Sequence, residues 1–375
     1  MHILTHIKKT VALLALMAIA VICPVAVSAS ENDSTENKID PKEIIFEHLG
    51  DGYGWEVPFN HHKRIPLPII VWGHDGLHCF MSSRVDHGKT YTDGSATFKI
   101  AGADSDHKGK IVEIIDGKEY KPWDFSITKN VCALFITVIL VIWSIVAVAR
   151  WHVRQGHKAP RKFVGAIESL ITFIYDGVIK PTLGAKAPKF APYLLTVFFF
   201  ILYMNLLGLI VIFPGGANLT GNIAVTLVLA LITFLITNIF GTKHYWKEVL
   251  WPDVPLWLKF PLPIMPVIEI FGVFTKPAAL TVRLFANMLG GHMIVIVLTL
   301  LIFIFGAMGA AVAGATTVVS VLFSVFMLLI DVLVSFIQAY VFTMLSTLFI
   351  GFGQENPHEH EKAIGKEVAE TVSHE

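Results

Sequence analysis

Arg283 lies in the middle of a largely apolar run, TKPAALTVRLFANMLGGHMIVIVLTLLIFIF, residues 275–305. A guanidinium does not lose its proton in a protein. Placing that charge near a bilayer centre costs at least roughly 2.5–3.5 kcal/mol. Between Pro263 and Gly353 the other formally charged residues are Glu269, Lys276 and Asp331, with His292 as a titratable ring and Gln338 as an amide. A fixed cation, carboxylates, an imidazole and amides are the groups needed to accept, pass and release an ion. Helical spacing sorts them. Asn287 follows Arg283 by four residues, so it shares that face one turn on, whereas His292 follows by nine and points half a turn away. Asp331 and Gln338 are seven apart, two turns along one face. Glu269 and Lys276 precede Arg283 by fourteen and seven residues, again on its face.

The rest of the chain supplies a membrane setting for these groups. Mean hydropathy is +0.64. Hydrophobic residues make up 54% and charged ones 15%, against about 25% charged in soluble domains. The net charge of zero points away from nucleic acid as a partner. Cys23, Cys79 and Cys132 are too scattered for a disulfide framework, and no metal or cofactor site is expected.

Residues 1–29 read as a signal peptide: Lys8 and Lys9, an apolar stretch from Val11 to Val25, then Val27-Ser28-Ala29 at the cleavage position. An uncleaved anchor is the alternative. Residues 30–125 form an extracytoplasmic domain, with a polar acidic start and then a small β-rich module carrying strand-like runs at 65–72, 96–101 and 110–116. His61, His62, His74 and His78 fall in expected loops and read as solvated side chains.

The membrane domain covers residues 126–353. VCALFITVILVIWSIVAVA (131–149) is long enough to span, and Arg150, Arg154, Lys158, Arg161 and Lys162 follow it. The positive-inside rule places that basic loop in the cytoplasm. Residues 164–183 carry Glu168, Asp176 and Lys180 and read as an interfacial amphipathic helix. Residues 191–213 and 221–241 make an uncharged hairpin of two spans, followed by a loop with Lys243, Lys247 and three tryptophans (Trp246, Trp251, Trp257). Asn205, Asn222 and Asn238 read as hydrogen-bonding residues between helices. Two overlong segments complete the domain. Residues 315–352 alone would reach about 57 Å as a helix, against a hydrocarbon core of about 30 Å. The fold class is therefore an all-α polytopic membrane protein. It has about five membrane-embedded helices, two of them long, tilted and in hairpin, plus the interfacial helix and the N-terminal β-rich domain. Residues 354–375 are a polar cytoplasmic tail.

The stretch from Glu269 through Lys276 to Arg283-Leu284-Phe285-Ala286-Asn287-Met288 resembles the signature of subunit a of the F-type ATP synthase, and SFIQAYVFTMLSTLFIG (335–351) is similar to that family's last helix, with Gln338 at its functional glutamine. The resemblance covers about residues 40–353. It implies a stator subunit of the membrane sector in a bacterial inner membrane, not catalytic itself. The implied partners are the subunit c ring, the subunit b stalk, the peripheral ATPase sector and the lipid bilayer. It further implies two half-channels for protons (sodium is the less favoured ion), with Arg283 between them. Asn287, His292, Asp331 and Gln338 go to the outer half-channel and Glu269 to the inner one. Many bacterial members carry glutamate nine residues after the arginine and histidine seven before the glutamine. This chain has His292 and Asp331 there, an exchange of types that points to a paired role. The rival readings are a stand-alone secondary transporter or ion channel, and a receptor or assembly factor acting through its exported domain.

Overall fold

The computed structural model describes residues 50–57, 60–85, 89–102, 105, 107–115, 117–155, 160, 162–210, 219–250, 264–306 and 310–354. The expected signal peptide, the acidic stretch after it, the tail beyond Gln354, and Trp251 and Trp257 lie outside them. The described chain divides into two compact units. One comprises residues up to Ile139, Tyr203–Leu219 and Met288–Val334; the other comprises Leu140–Leu202, Thr220–Asn287 and the chain from Ser335.

The N-terminal module is richer in strands than the sequence pattern indicated. Nine strands occur among the described residues: β1 (Gly54–Val57), β2 (Asn60–Pro66), β3 (Pro68–Gly73), β4 (Gly76–Met81), β5 (Tyr91–Asp93), β6 (Ala96–Ile100), β7 (Ile111–Ile115), β8 (Lys118–Tyr120) and β9 (Trp123–Asp124). They form antiparallel sheets ordered β1-β2, β4-β3-β9 and β5-β6-β7-β8. The tight turns allow this density. Gly76, Gly94 and Gly117 adopt positive φ at or beside the connections, which glycine does without steric cost. A core of Ile69, Val71, Phe80, Val85, Phe98 and Ile111 holds the sheets together.

This architecture corrects the loop reading of the histidines. His61 and His62 fall in β2, and His78 lies half-buried in β4 with its ring 5.0 Å from that of Phe98 and Nδ1 3.0 Å from Asp93 Oδ2. His74 alone keeps an exposed turn, where its backbone N–H donates to Glu113.

The three-stranded sheet departs from the usual pattern of one apolar and one polar face. Ile69, Val71 and Phe80 point into the core. The opposite face is apolar too: β3 turns out Ile70 and Trp72, and β4 turns out Leu77, Cys79 and Met81. Trp123 of β9 stands beside Trp72 in register, and Phe125 follows it. Trp123 is 76% exposed, Leu77 62% and Phe125 61%.

The module is clamped to the first membrane helix, α1 (Lys129–Gln155). Past β9 the chain stays alongside β3, Phe125 N–H donating to Ile70 O at 2.9 Å and Ile127 N–H to Pro68 O at 3.1 Å. The orphan amides of the first helical turn then find acceptors in the module: Lys129 N–H on Gly52 O, and Asn130 N–H on the Asp51 carboxylate. Tyr53, buried, donates its hydroxyl to Asp124 Oδ2 at 2.5 Å.

The remaining helices are α2 (Lys162–Ile174), a π turn (Tyr175–Ile179), α3 (Lys180–Leu183), α4 (Ala187–Leu209), α5 (Ile223–Ile239), α6 (Lys243–Leu250), α7 (Ile264–Gly306) and α8 (Ala310–Gln354). The amphipathic segment expected over 164–183 thus runs on into the next span. Gly184, at φ 52°, redirects the backbone between them. Among the described residues four helical stretches are long and apolar enough to cross a membrane, and α5 is a shorter apolar helix of 17 residues. At about 1.5 Å per residue, α7 (43 residues) and α8 (45 residues) reach about 65 Å each, twice a hydrocarbon core.

The Tyr53–Asp124 bond yields a prediction. Burial first, and the neighbouring carboxylate second, push the Tyr53 hydroxyl above its ordinary range. Its stabilising contribution is therefore complete below the free tyrosine value near 10 and lost as pH rises beyond it. Tyr53→Phe should cost about 1–3 kcal/mol at neutral pH. Hydrogen exchange at the Ile111 and Asn130 amides should report the loss; unchanged protection at both would refute the clamp.

Candidate ion-translocation site

Arg283 lies near the middle of α7, and its side chain is exposed. Leu280, Leu284 and Met288 form the buried stripe of that helix, while Ala279, Val282, Arg283, Ala286 and Asn287 face outward. No hydrogen bond, ion pair or ring contact is formed by the guanidinium among the described residues. The small alanines on either side leave its face open to an approaching surface.

Gln338 is buried in α8, and its Oε1 accepts from Asn287 Nδ2 at 2.8 Å. Asn287 thus holds the Gln338 amide oxygen across the two helices. Lower on the same two helices, Lys276 Nζ stands 5.6 Å from the Phe349 ring. In these two contacts residue numbers rise on α7 as they fall on α8. The two helices therefore run antiparallel there, as the hairpin reading expected.

Asp331 and His292 belong to the other compact unit. Asp331 is buried, and its carboxylate lies directly against Gly291: a Cβ added at Gly291 would come within 2.7 Å of Oδ1. A glycine is needed for that approach. The imidazole of His292, next in sequence, has a buried Nε2 without a hydrogen-bond partner among the described residues. The structure therefore brings Asp331 to the residue beside His292 and leaves the ring nitrogen open. Asp331, Ser335 and Gln338, all buried, follow a four-then-three spacing and share one face of α8.

Of the asparagines expected to bond between helices, Asn238 does so, whereas Asn222 and Asn205 behave differently. Asn222 caps α5, its side chain accepting from Ala224 N–H at 3.0 Å. Asn238 donates to Phe234 O within its own helix and accepts from the Tyr245 hydroxyl of α6 at 3.3 Å. Asn205 is wholly buried, and neither polar atom of its amide has a hydrogen-bond partner among the described residues. Buried amides are satisfied as a rule, so Asn205 joins the candidate polar path. Its central position in an uncharged span was the only sequence signal for it.

Glu269 is half-buried on α7. Tyr245, on the short α6 outside the spans, has its hydroxyl pushed up first by burial and second by the charge of Glu269. Lys276, Thr233, Thr237, Asn238 and Tyr245 line a small cleft closed by Phe349. Glu269 thus stands near a second polar niche. Tyr245 and Asn238 are members of it that spacing alone did not single out.

Two neighbouring glycines provide an internal control. An added Cβ meets nothing within 4 Å at Gly290 but meets the Asp331 carboxylate at Gly291. Gly291→Ala should displace Asp331 and cost about 1–3 kcal/mol as overpacking. It should lower proton flux through the reconstituted protein several-fold more than Gly290→Ala. Equal effects of the two changes would remove the Gly291–Asp331 contact from the site.

Most of the chain is similar to known proteins. The family described as ATP synthase A chain matches residues 131–351, and residues 44–125 match Domain of unknown function (DUF8433). ATP synthase subunit a 2 of Chlorobaculum tepidum is 43% identical over 266 residues, covering 68% of this chain and 70% of that protein. ATP synthase subunit a of Chlorobium phaeobacteroides is 43% identical over 249 residues, 64% of this chain and 69% of its own. That of Myxococcus xanthus is 39% identical over 266 residues, 68% of this chain and 81% of its own. With its long apolar helices, its exposed Arg283 and a match across more than half its length, the chain belongs to the ATP synthase subunit a family, as a multi-pass subunit of the membrane sector.

Proposed function

We propose that this subunit forms two proton half-channels against a ring of hairpin subunits (subunit c) and couples proton flow to rotation of that ring. The carrying observation is Arg283, a permanent charge exposed and unpaired among the described residues at the middle of an apolar helix. A carboxylate on the ring that approaches Arg283 has its pKa lowered by the opposite charge, so it releases its proton before passing. The same charge stops a proton from leaking straight across. Each charge moved through 100 mV supplies about 2.3 kcal/mol to the rotation.

The outer half-channel is assigned to Asn287, His292, Asp331 and Gln338, with Asn205 added. The inner one is assigned to Glu269 and the niche around Lys276, Asn238 and Tyr245. The unpartnered Nε2 of His292 supports a relay in which water bridges the ring to Asp331. Protons suit this chain better than sodium, because an imidazole passes protons and is no ligand for sodium. Orientation follows the basic end of α1, where His152 Nε2 stands 3.2 Å from Glu168 of α2. The β-rich module is then outside the cytoplasm and the C-terminus inside, in a bacterial inner membrane. The partners are the c ring, the b stalk and the peripheral ATPase. A stand-alone transporter would not co-purify with a ring of small hairpin proteins.

Arg283→Ala should abolish coupled ATP synthesis while the complex still assembles, and Arg283→Lys should fall well short of the parent, because an ammonium neutralises when buried. Synthesis at the parental rate in the alanine variant would sink the proposal. The exchange His292→Glu with Asp331→His should recover more proton flux than the two single alanine losses predict together. Simple additivity would show that the two positions act independently.

A further inference from the structure

The outward face of the three-stranded sheet takes no part in the ion path, yet it is the most apolar exposed surface of the N-terminal module. Trp72, Leu77, Trp123 and Phe125 stand out from it at 58% exposure or more, with Met81 at 45%. The outward positions of the three strands carry no charge. An antiparallel sheet facing water alternates apolar and polar residues. Here the alternation is lost because both faces are apolar, so the outer face needs cover.

What covers it follows from where the sheet ends. Phe125 and Ile127 remain bonded to β3, and two residues after Ile127 the chain enters α1. At no more than about 3.6 Å per residue, the near edge of the face lies within about 7 Å of the first turn of the span. The far edge, at Trp72 and Trp123, lies about 20 Å back along the strands. Lys129 and Asn130 are bonded to Gly52 and Asp51 of the module, so the sheet is held to the helix and does not swing on a linker. The apolar character continues on α1, where Val131, Phe135 and Ile139 are exposed in turn. Tryptophan and tyrosine concentrate at the boundary between headgroups and acyl chains, where a flat apolar ring with a polar edge is well accommodated.

We infer that the outward face of the β4-β3-β9 sheet docks into the bilayer interface beside α1, making the N-terminal module a membrane-seated anchor for the first helix. The inference rests on α1 spanning the bilayer. It depends neither on the ion path nor on which side of the membrane the module occupies.

Cys79 lies at the centre of this face and is exposed, so it carries a probe without altering the surface. The full-length chain, assembled in its complex and with Cys23→Ala and Cys132→Ala, would be reconstituted in phosphatidylcholine–phosphatidylglycerol vesicles and given a nitroxide at Cys79. Power saturation compares access to oxygen, which concentrates in lipid, with access to a water-soluble nickel chelate. The expected result is oxygen access exceeding chelate access at Cys79, as for a label at Ile139→Cys and opposite to one at Lys118→Cys on exposed β8. Chelate access matching the Lys118→Cys label would place the face in water. Exclusion of both reagents would show a protein partner on the face. Either result overturns the inference.

Discussion

Hydrocarbon offers no hydrogen bonds, and this one deficit governs the membrane domain. Backbone groups must be satisfied within each helix, so the long apolar stretches among the described residues are helical. Many side-chain hydroxyls face the same demand and meet it locally, although those of Thr220, Ser320 and Ser346 are buried without a hydrogen-bond partner among the described residues. Thr137 bonds the Ala133 carbonyl, Thr237 that of Thr233, Thr343 that of Ala339 and Thr347 that of Thr343. Among the groups left unsatisfied are those proposed for the ion path: Arg283 projects from its helix unpaired, and the Asn205 amide and the His292 Nε2 are buried without hydrogen-bond partners, all among the described residues.

Close packing between helices determines which polar groups can meet. Asp331 reaches the backbone of α7 because position 291 has no side chain, and Asn287 reaches Gln338 at hydrogen-bond distance. Lys276 is drawn back against Phe349 and lines a cleft with Asn238 and Tyr245. Polar groups within one element are assembled by period alone, but these pairs depend on the approach of two backbones.

The module ahead of α1 answers a related problem at the membrane edge. A helix entering the bilayer leaves its first amides orphaned, and here Gly52 O and Asp51 accept two of them. Tyr53, adjacent in sequence, fixes Asp124 at the start of the same connection. The sequence reading of a β-rich module named only three strand-like runs, and it missed the other strands for a physical reason. β5, β8 and β9 are two or three residues long, too short for period-two alternation to register. His78 was misplaced because its neighbours Leu77 and Cys79 turn outward, hiding the usual apolar-in, polar-out signature of a strand.

The sequence by itself determined the membrane class, the long final helices, the family signature around Arg283 and the grouping of Asp331 with Gln338. Charge in a long apolar run and helical period are local properties, fixed by residue type and spacing. Only the tertiary structure decided the rest. It joined the Gln338 oxygen to Asn287, placed Asp331 against Gly291, left the Asn205 amide without a hydrogen-bond partner among the described residues, and exposed a second apolar face on the three-stranded sheet. Each of these depends on which surfaces distant segments present to one another. That follows from packing and from competition for a limited number of hydrogen bonds, neither of which a linear pattern encodes.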